Sequence, residues 1–250
     1  MQIYYQDKKE EIRFENVSFS YGNNLILKNV SFSVSSGETV AIVGQCGFGK
    51  STMLKLCCGL LQPNAGSVYI KGRNIALMLR EDLLRARLDI GYVFQNSALI
   101  SNMNVFLNIA LPLRYHTAFP EEKITKIVRS RIGLLKLEGY EKAMPASLSM
   151  GVMKRSAVAR SLALMPGIML YDEPTSGLDP LNAAMLIDIV RVLHGSFGVT
   201  SVIVTHDIKT ALDIASRILV VAQKTLVFSG TPAELRGTSD PYIKKFMDNI

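Results

Sequence analysis

Nine consecutive residues, Gly44-Gln45-Cys46-Gly47-Phe48-Gly49-Lys50-Ser51-Thr52, carry the most specific chemistry in the chain. The glycines let successive backbone N–H groups curl around an anion, and the lysine and serine arrive where a helix should begin. The positive end of that helix dipole faces the same anion. The pattern predicts binding of a nucleoside triphosphate, with Lys50 reaching the β- and γ-phosphates, Ser51 offering its hydroxyl to Mg2+, and the other seven residues forming the cradle. A glycine-rich turn without ligand is the alternative. The flanking residues argue against it: Thr39-Val-Ala-Ile-Val43 has the make-up of a buried parallel strand, and Met53-Leu-Lys-Leu56 opens an apolar helix.

A second feature is Ile168-Met-Leu-Tyr-Asp172-Glu173, an apolar strand that delivers two carboxylates at its carboxyl end. Ligands of open α/β sheets bind at that end. Asp172 is therefore expected in the Mg2+ shell beside Ser51, because magnesium takes oxygen ligands and keeps several waters. Glu173 is left to orient or deprotonate water. Two acids after a strand also describe an ordinary acidic turn; the phosphate loop elsewhere in the chain gives them this meaning.

The elements that must position these groups are legible from periodicity. Ile12–Tyr21, Val30–Val34 and Ser67–Lys71 alternate apolar and polar residues and read as a small antiparallel sheet. Helices are expected at about 50–61, 80–88 and 181–194, and strands at 90–94, 168–171, 201–205 and 217–221. Between about 96 and 164 the apolar spacing turns helical, with Pro120, Gly133 and Pro145 as punctuation. Thr231-Pro-Ala-Glu234 is a capping box, Asp240-Pro241 repeats the start signal, and two short helices should follow. Alternating strands and helices imply a largely parallel α/β core. At 250 residues the chain suits one folding unit with insertions, divided as 1–95 and 165–250 for the core and 96–164 for a helical subdomain.

Composition narrows the partners. The formal charge is +7, but the basic residues are scattered, and the densest run, Lys123 to Arg131, sits on an amphipathic helix carrying Ile124, Ile127, Val128 and Ile132. No nucleic-acid partner is expected, since no aromatic platform, zinc spacing or heptad arm accompanies the charge. No apolar run is long enough to span a bilayer, and the amino terminus lacks the features of a signal peptide, which predicts a cytosolic chain. Cys46, Cys57 and Cys58 have neither metal-site spacing nor easy disulfide geometry and read as reduced thiols.

Taken together, these motifs resemble those of ATP-binding cassette (ABC) ATPases, and the likeness covers nearly the whole chain. It implies a P-loop NTPase core with a parallel sheet, an N-terminal antiparallel β subdomain and an inserted α-helical subdomain. It also implies ATP and Mg2+ as ligands and a homodimer that closes on two nucleotides. By this resemblance Tyr21 stacks on adenine, Gln95 after Gly91-Tyr-Val-Phe94 senses Mg2+, and His206 in Val204-Thr-His-Asp207 contacts the γ-phosphate and helps position water. Asp179, closing Ser176-Gly-Leu-Asp179, couples the two sites. Leu148-Ser149-Met150-Gly151-Val152 stands where the family has Leu-Ser-Gly-Gly-Gln, so Ser149 and Gly151 are expected to face the γ-phosphate bound by the opposite subunit. Two residues depart from the pattern: Phe48 replaces a small residue, and Met150 replaces a glycine. The implied activity is a slow ATPase.

Within that family, three stretches resemble the ATPases of Mla-type phospholipid transport systems, which act with MCE-domain proteins and a permease. They are Val105–Thr117, Gly198–His206 and Ser239–Ile250. The resemblance implies a peripheral subunit on the cytoplasmic face of a bacterial inner membrane, with a groove for the permease in 96–117. Transport of another substrate, or a soluble ATPase of iron–sulfur cluster assembly, are the alternatives.

Overall fold

The computed structural model of the chain describes residues 9–45 and 47–248. In chain order its strands are β1 (Glu10–Tyr21), β2 (Asn24–Ser35), β3 (Thr39–Val43), β4 (Ala65–Ile70), β5 (Arg73–Asn74), β6 (Ile90–Val93), β7 (Ile168–Asp172), β8 (Thr200–Thr205), β9 (Arg217–Ala222) and β10 (Thr225–Gly230). The helices are α1 (Lys50–Cys57), α2 (Arg80–Leu88), α3 (Val105–His116), α4 (Glu121–Leu134), α5 (Met150–Ser161), α6 (Pro180–Phe197), α7 (Ile208–Ile214), α8 (Pro232–Gly237) and α9 (Pro241–Asp248). An antiparallel sheet has the order β2-β1-β4-β5, and a six-stranded sheet the order β10-β9-β3-β8-β7-β6. The latter is parallel except for β10, which pairs antiparallel with β9.

Every residue of β3, β7 and β8 is buried, as expected for parallel strands covered on both faces. Side chains alternate along a strand, so the two faces can be assigned by parity. Val40, Ile42, Leu170, Val202, Val204, Leu219 and Val221 pack against Phe14, Val30 and Val68 of the antiparallel sheet and Met53, Leu54 and Leu56 of α1. The intervening residues face the other way. Ala41, Val43, Ile218 and Val220 meet α7, α8 and α9, while Met169, Tyr171 and Ile203 meet α3, α4, α5 and α6. Each fully buried aliphatic side chain contributes roughly 1.5–3 kcal/mol to this assembly.

The expected elements form, with differences that have local causes. The first helix ends at Cys57 rather than near 61. Gly59 adopts φ +67, and the N–H groups of Gly59 and Leu60 turn back to the carbonyls of Leu56 and Lys55, closing the helix end. Gly133 does not end α4, which runs one residue further to Leu134. Pro112 lies inside α3, and Asn108, which breaks the apolar run, is fully buried: its amide donates to the carbonyls of Ile100, Met103 and Asn104 and accepts from the Ile100 N–H. Three elements were not expected, namely β5, α7 and β10. Among the described residues no helix is long and apolar enough to cross a membrane. Cys57 and Cys58 are free and buried, and burial pushes both thiols up.

Parallel pairing sets the site. In β3, β8, β7 and β6 the register places Val43 beside Thr205, Val204 beside Asp172, and Tyr171 beside Val93. The loops carrying Gly44, His206, Glu173 and Gln95 therefore emerge in a row at the carboxyl edge of one sheet.

Candidate nucleotide-binding site

The loop after β3 leads directly into α1, whose first residue is Lys50. Gly49 is the N-cap at φ +82, and no side chain caps the helix start. A Cβ there would come within 2.7 Å of Ile26 Cγ2, so only glycine fits. Lys50 is 6% exposed, and its ammonium donates to the carbonyl oxygens of Gly44 at 2.8 Å and Gln45 at 3.1 Å. The Phe48 N–H also returns to the Gln45 carbonyl, and the Phe48 side chain packs against the core under the antiparallel sheet. Cys46 lies outside the described residues.

A cleft of about 360 Å³ opens over this loop, lined by Tyr21, Ile26, Gly47, Gly49, Lys50, Ser51, Thr52, Gln95 and Glu173. Tyr21, at the end of β1, meets Phe19 edge to face with ring centres 4.8 Å apart. The Ser51 hydroxyl donates to Asp172 Oδ1 at 2.7 Å, joining the phosphate loop to the end of β7. Asp172 Oδ2 accepts from the Tyr92 hydroxyl at 3.3 Å. Burial and the neighbouring Asp172 charge raise the Tyr92 pKa, so it stays a neutral donor. Among the described residues no cluster of three or more His, Cys, Asp or Glu side chains would hold a metal alone. One carboxylate and one hydroxyl in contact are hard oxygen donors, and they fit Mg2+ completed by phosphate oxygens and water.

Glu173 is 7% exposed and holds φ +48, an uncommon backbone for a residue that is not glycine. Its N–H donates to the Val204 carbonyl at 2.9 Å. Its Oε2 lies 2.8 Å from His206 Nδ1 and accepts from the His206 N–H at 3.4 Å. The Glu173 carboxylate and the exposed His206 ring thus form a pair at the edge of the cleft, suited to orienting a water and taking its proton.

Ser149, Gly151 and Asp179 do not line this cleft. They gather in a second cluster, where Ser149 caps α5 and Asp179 caps α6 by accepting from the Val152 and Asn182 N–H groups. Those hydrogen bonds from Asn182 hold the Asp179 carboxyl below its usual range. Asn182 also accepts from Arg155 Nη1 at 2.9 Å, and its amide donates to Asp179 Oδ2 at 2.6 Å. A Cβ on Gly151 would lie 2.3 Å from Asn182 Oδ1, which explains glycine there. Met150 is 51% exposed, and its sulfur lies over Gly177 of the loop before α6, 2.7 Å from where a Cβ would stand.

Residues 27–176 match the family model described as ABC transporter. The chain belongs to the ABC transporter family, as an ATPase. It is 37% identical over 239 residues to the intermembrane phospholipid transport system ATP-binding protein MlaF of Escherichia coli (strain K12), covering 96% of this chain and 89% of that protein. It is also 37% identical over 238 residues to the probable ribonucleotide transport ATP-binding protein mkl of Mycobacterium tuberculosis (strain ATCC 25618 / H37Rv), covering 95% of this chain and 66% of that protein. Among solved structures, the dimeric ATP-binding cassette MJ0796 in a post-hydrolysis state bound to ADP and Pi superposes with a TM-score of 0.81. That likeness has 33% identity and spans 88% of this chain and 98% of the other.

Sequence reasoning overlooked three residues of this cassette site: Ile26, Tyr92 and Lys154. Tyr92 carried a signal, a polar-tipped aromatic in the strand that leads to Gln95, but its partner Asp172 is 80 residues away. Lys154 is 3% exposed, and burial lowers its pKa against the opposing pull of Glu173 and Asp172. At Met150, shortening the side chain frees the Gly177 surface in the cassette. M150G is expected to raise ATP turnover of the assembled protein by about three- to tenfold, a barrier change of roughly 0.7–1.4 kcal/mol. Steady-state phosphate release checks this, and an unchanged rate would show that Met150 does not limit turnover.

Proposed function

We propose that this cassette powers a bacterial inner-membrane transporter of phospholipid, as a homodimer bound to a permease and an MCE-domain protein at the cytoplasmic face. The observation that carries this reading is the 37% identity to MlaF over 96% of the chain, with 89% of that protein covered. In the cleft, Tyr21 stacks on adenine, while the loop N–H groups of residues 44–52 and Lys50 hold the phosphates. Mg2+, held by Ser51, Asp172 and Gln95, would neutralise charge developing on the phosphate oxygens. Glu173 accepts the proton of the attacking water, and His206 orients it toward the γ-phosphate. Ser149 and Gly151 of one protomer, the latter packed against the Asn182 that bonds Asp179, meet the nucleotide of its partner. Their separation from the cleft within a single chain supports this division of labour.

The permease would dock on residues 96–117. Phe106 is partly buried, its N–H donates to the Glu141 carbonyl, and it lines a separate cleft of about 600 Å³ with Arg129, Ile132 and Lys142. Leu99 also packs on the helical core. The test is purification of the complex from native membranes in detergent, with proteins and lipids identified by mass spectrometry. A permease, an MCE-domain protein and phospholipid should accompany the wild-type chain. F106D should lose them while keeping ATP affinity within about threefold, as expected for loss of a binding contact. A transporter without phospholipid favours another cargo, such as the ribonucleotide named for the mycobacterial relative. Soluble scaffold proteins alone would overturn the reading.

A further inference from the structure

One buried cation stands outside every role assigned above. Lys154 lies on α5, five residues after the Ser149 cap, and its Nζ donates to the main-chain carbonyls of Glu173 at 2.8 Å and Gln95 at 3.2 Å. It thereby joins the helix capped by Ser149, the residue after β7 and the second residue after β6. Both acceptors belong to residues that line the cleft. At Glu173 the contact falls on a backbone of φ +48, which is pinned by its N–H to Val204 on one side and by its carbonyl to Lys154 on the other. Such a conformation persists where surrounding contacts over-determine it.

The same helix grips the following loop. Arg160 Nη1 and Nη2 donate to the carbonyls of Ala98 at 2.8 Å and Ser97 at 3.2 Å, and the Ser161 hydroxyl donates to the Tyr92 carbonyl at 2.9 Å. Ser97 and Ala98 also hold positive φ, at 61° and 48°. The backbone from Tyr92 to Ala98 is thus attached to α5 at four carbonyls, and the Lys154 ammonium extends that attachment to Glu173.

We propose that Lys154 is a positioning residue for ATP hydrolysis: it fixes the Glu173 backbone relative to Gln95 and transmits displacement of the α5 amino terminus to both. The inference rests on Glu173 being the carboxylate that activates water. A charge-assisted hydrogen bond to a carbonyl is short-ranged and directional, so a shift of α5 moves the aim of Glu173 without altering the phosphate loop. The expected signature is a change in kcat with little change in KM for ATP.

The experiment measures steady-state ATP hydrolysis by the complex carrying K154M, K154R or E173Q, with nucleotide affinity and thermal melting recorded for each. K154M should lower kcat by about tenfold or more and leave KM for ATP within about twofold, and K154R, which keeps a buried donor, should recover at least about a third of wild-type kcat. K154Q supplies the same split if K154M does not fold. Wild-type kcat in a folded K154M, alongside an inactive E173Q, overturns the role of Lys154 and spares that of Glu173. Wild-type turnover by E173Q overturns both. Loss of nucleotide binding together with turnover in all three Lys154 variants marks a structural residue and also overturns the proposal.

Discussion

E173Q is expected to lower kcat for ATP by about 100-fold or more while leaving ATP affinity within a few-fold, because a positioned general base contributes on the order of 10²–10⁴. Glutamine keeps the shape of the side chain and tolerates the same φ of +48 no worse than glutamate does, so the substitution isolates the proton-accepting charge. Among the described residues the Glu173 carboxylate accepts from the His206 N–H and lies against His206 Nδ1, on the side of the cleft formed by β8 rather than by the phosphate loop. Nucleotide should therefore enter and stay. Two cassettes closed on ATP would accumulate and elute as a dimer, with bound ATP rather than ADP recovered from the peak. Single-turnover hydrolysis and size-exclusion chromatography read the two effects separately, and wild-type turnover would remove Glu173 from the chemistry.

K50A acts at the other end of the cleft and should abolish binding instead. The Lys50 ammonium lies at the helix start, buried, and already points into the loop through the Gly44 and Gln45 carbonyls. Losing two charge-assisted contacts to phosphate, at about 1.5–3 kcal/mol each, raises the Kd for Mg–ATP by roughly 10²–10⁴. Alanine is a strong helix former, so α1 should survive and thermal melting should change little in the absence of nucleotide. Titration with a fluorescent ATP analogue measures the shift. A Kd within threefold of wild type would mean that the loop holds phosphate without its lysine.

What could be read from the sequence was local. The strand–loop–helix around Gly44 to Thr52 and the apolar run ending in Asp172 are contiguous patterns, and the structure places Gly47, Gly49, Lys50, Ser51, Thr52, Tyr21, Gln95 and Glu173 in one cleft. Distance along the chain hid the rest. Lys154 reaches Gln95 across 59 positions, and Met150 lies on Gly177 through a contact that only the folding of α5 beside α6 creates. The strand β10 escaped because its hairpin turns at Gln223 and Lys224, both with positive φ, where the usual turn signal would be Asn or Gly. The helix α7 is seven residues long and is capped by Asp207, directly after the histidine that marks that segment.

The most direct measurement is transfer of labelled phospholipid between vesicles by the reconstituted complex, with Mg–ATP and either the wild-type cassette or E173Q. Transfer should require ATP, proceed with wild type and stop with E173Q although ATP remains bound. Sustained ATP hydrolysis by the wild-type complex with no phospholipid movement would contradict it.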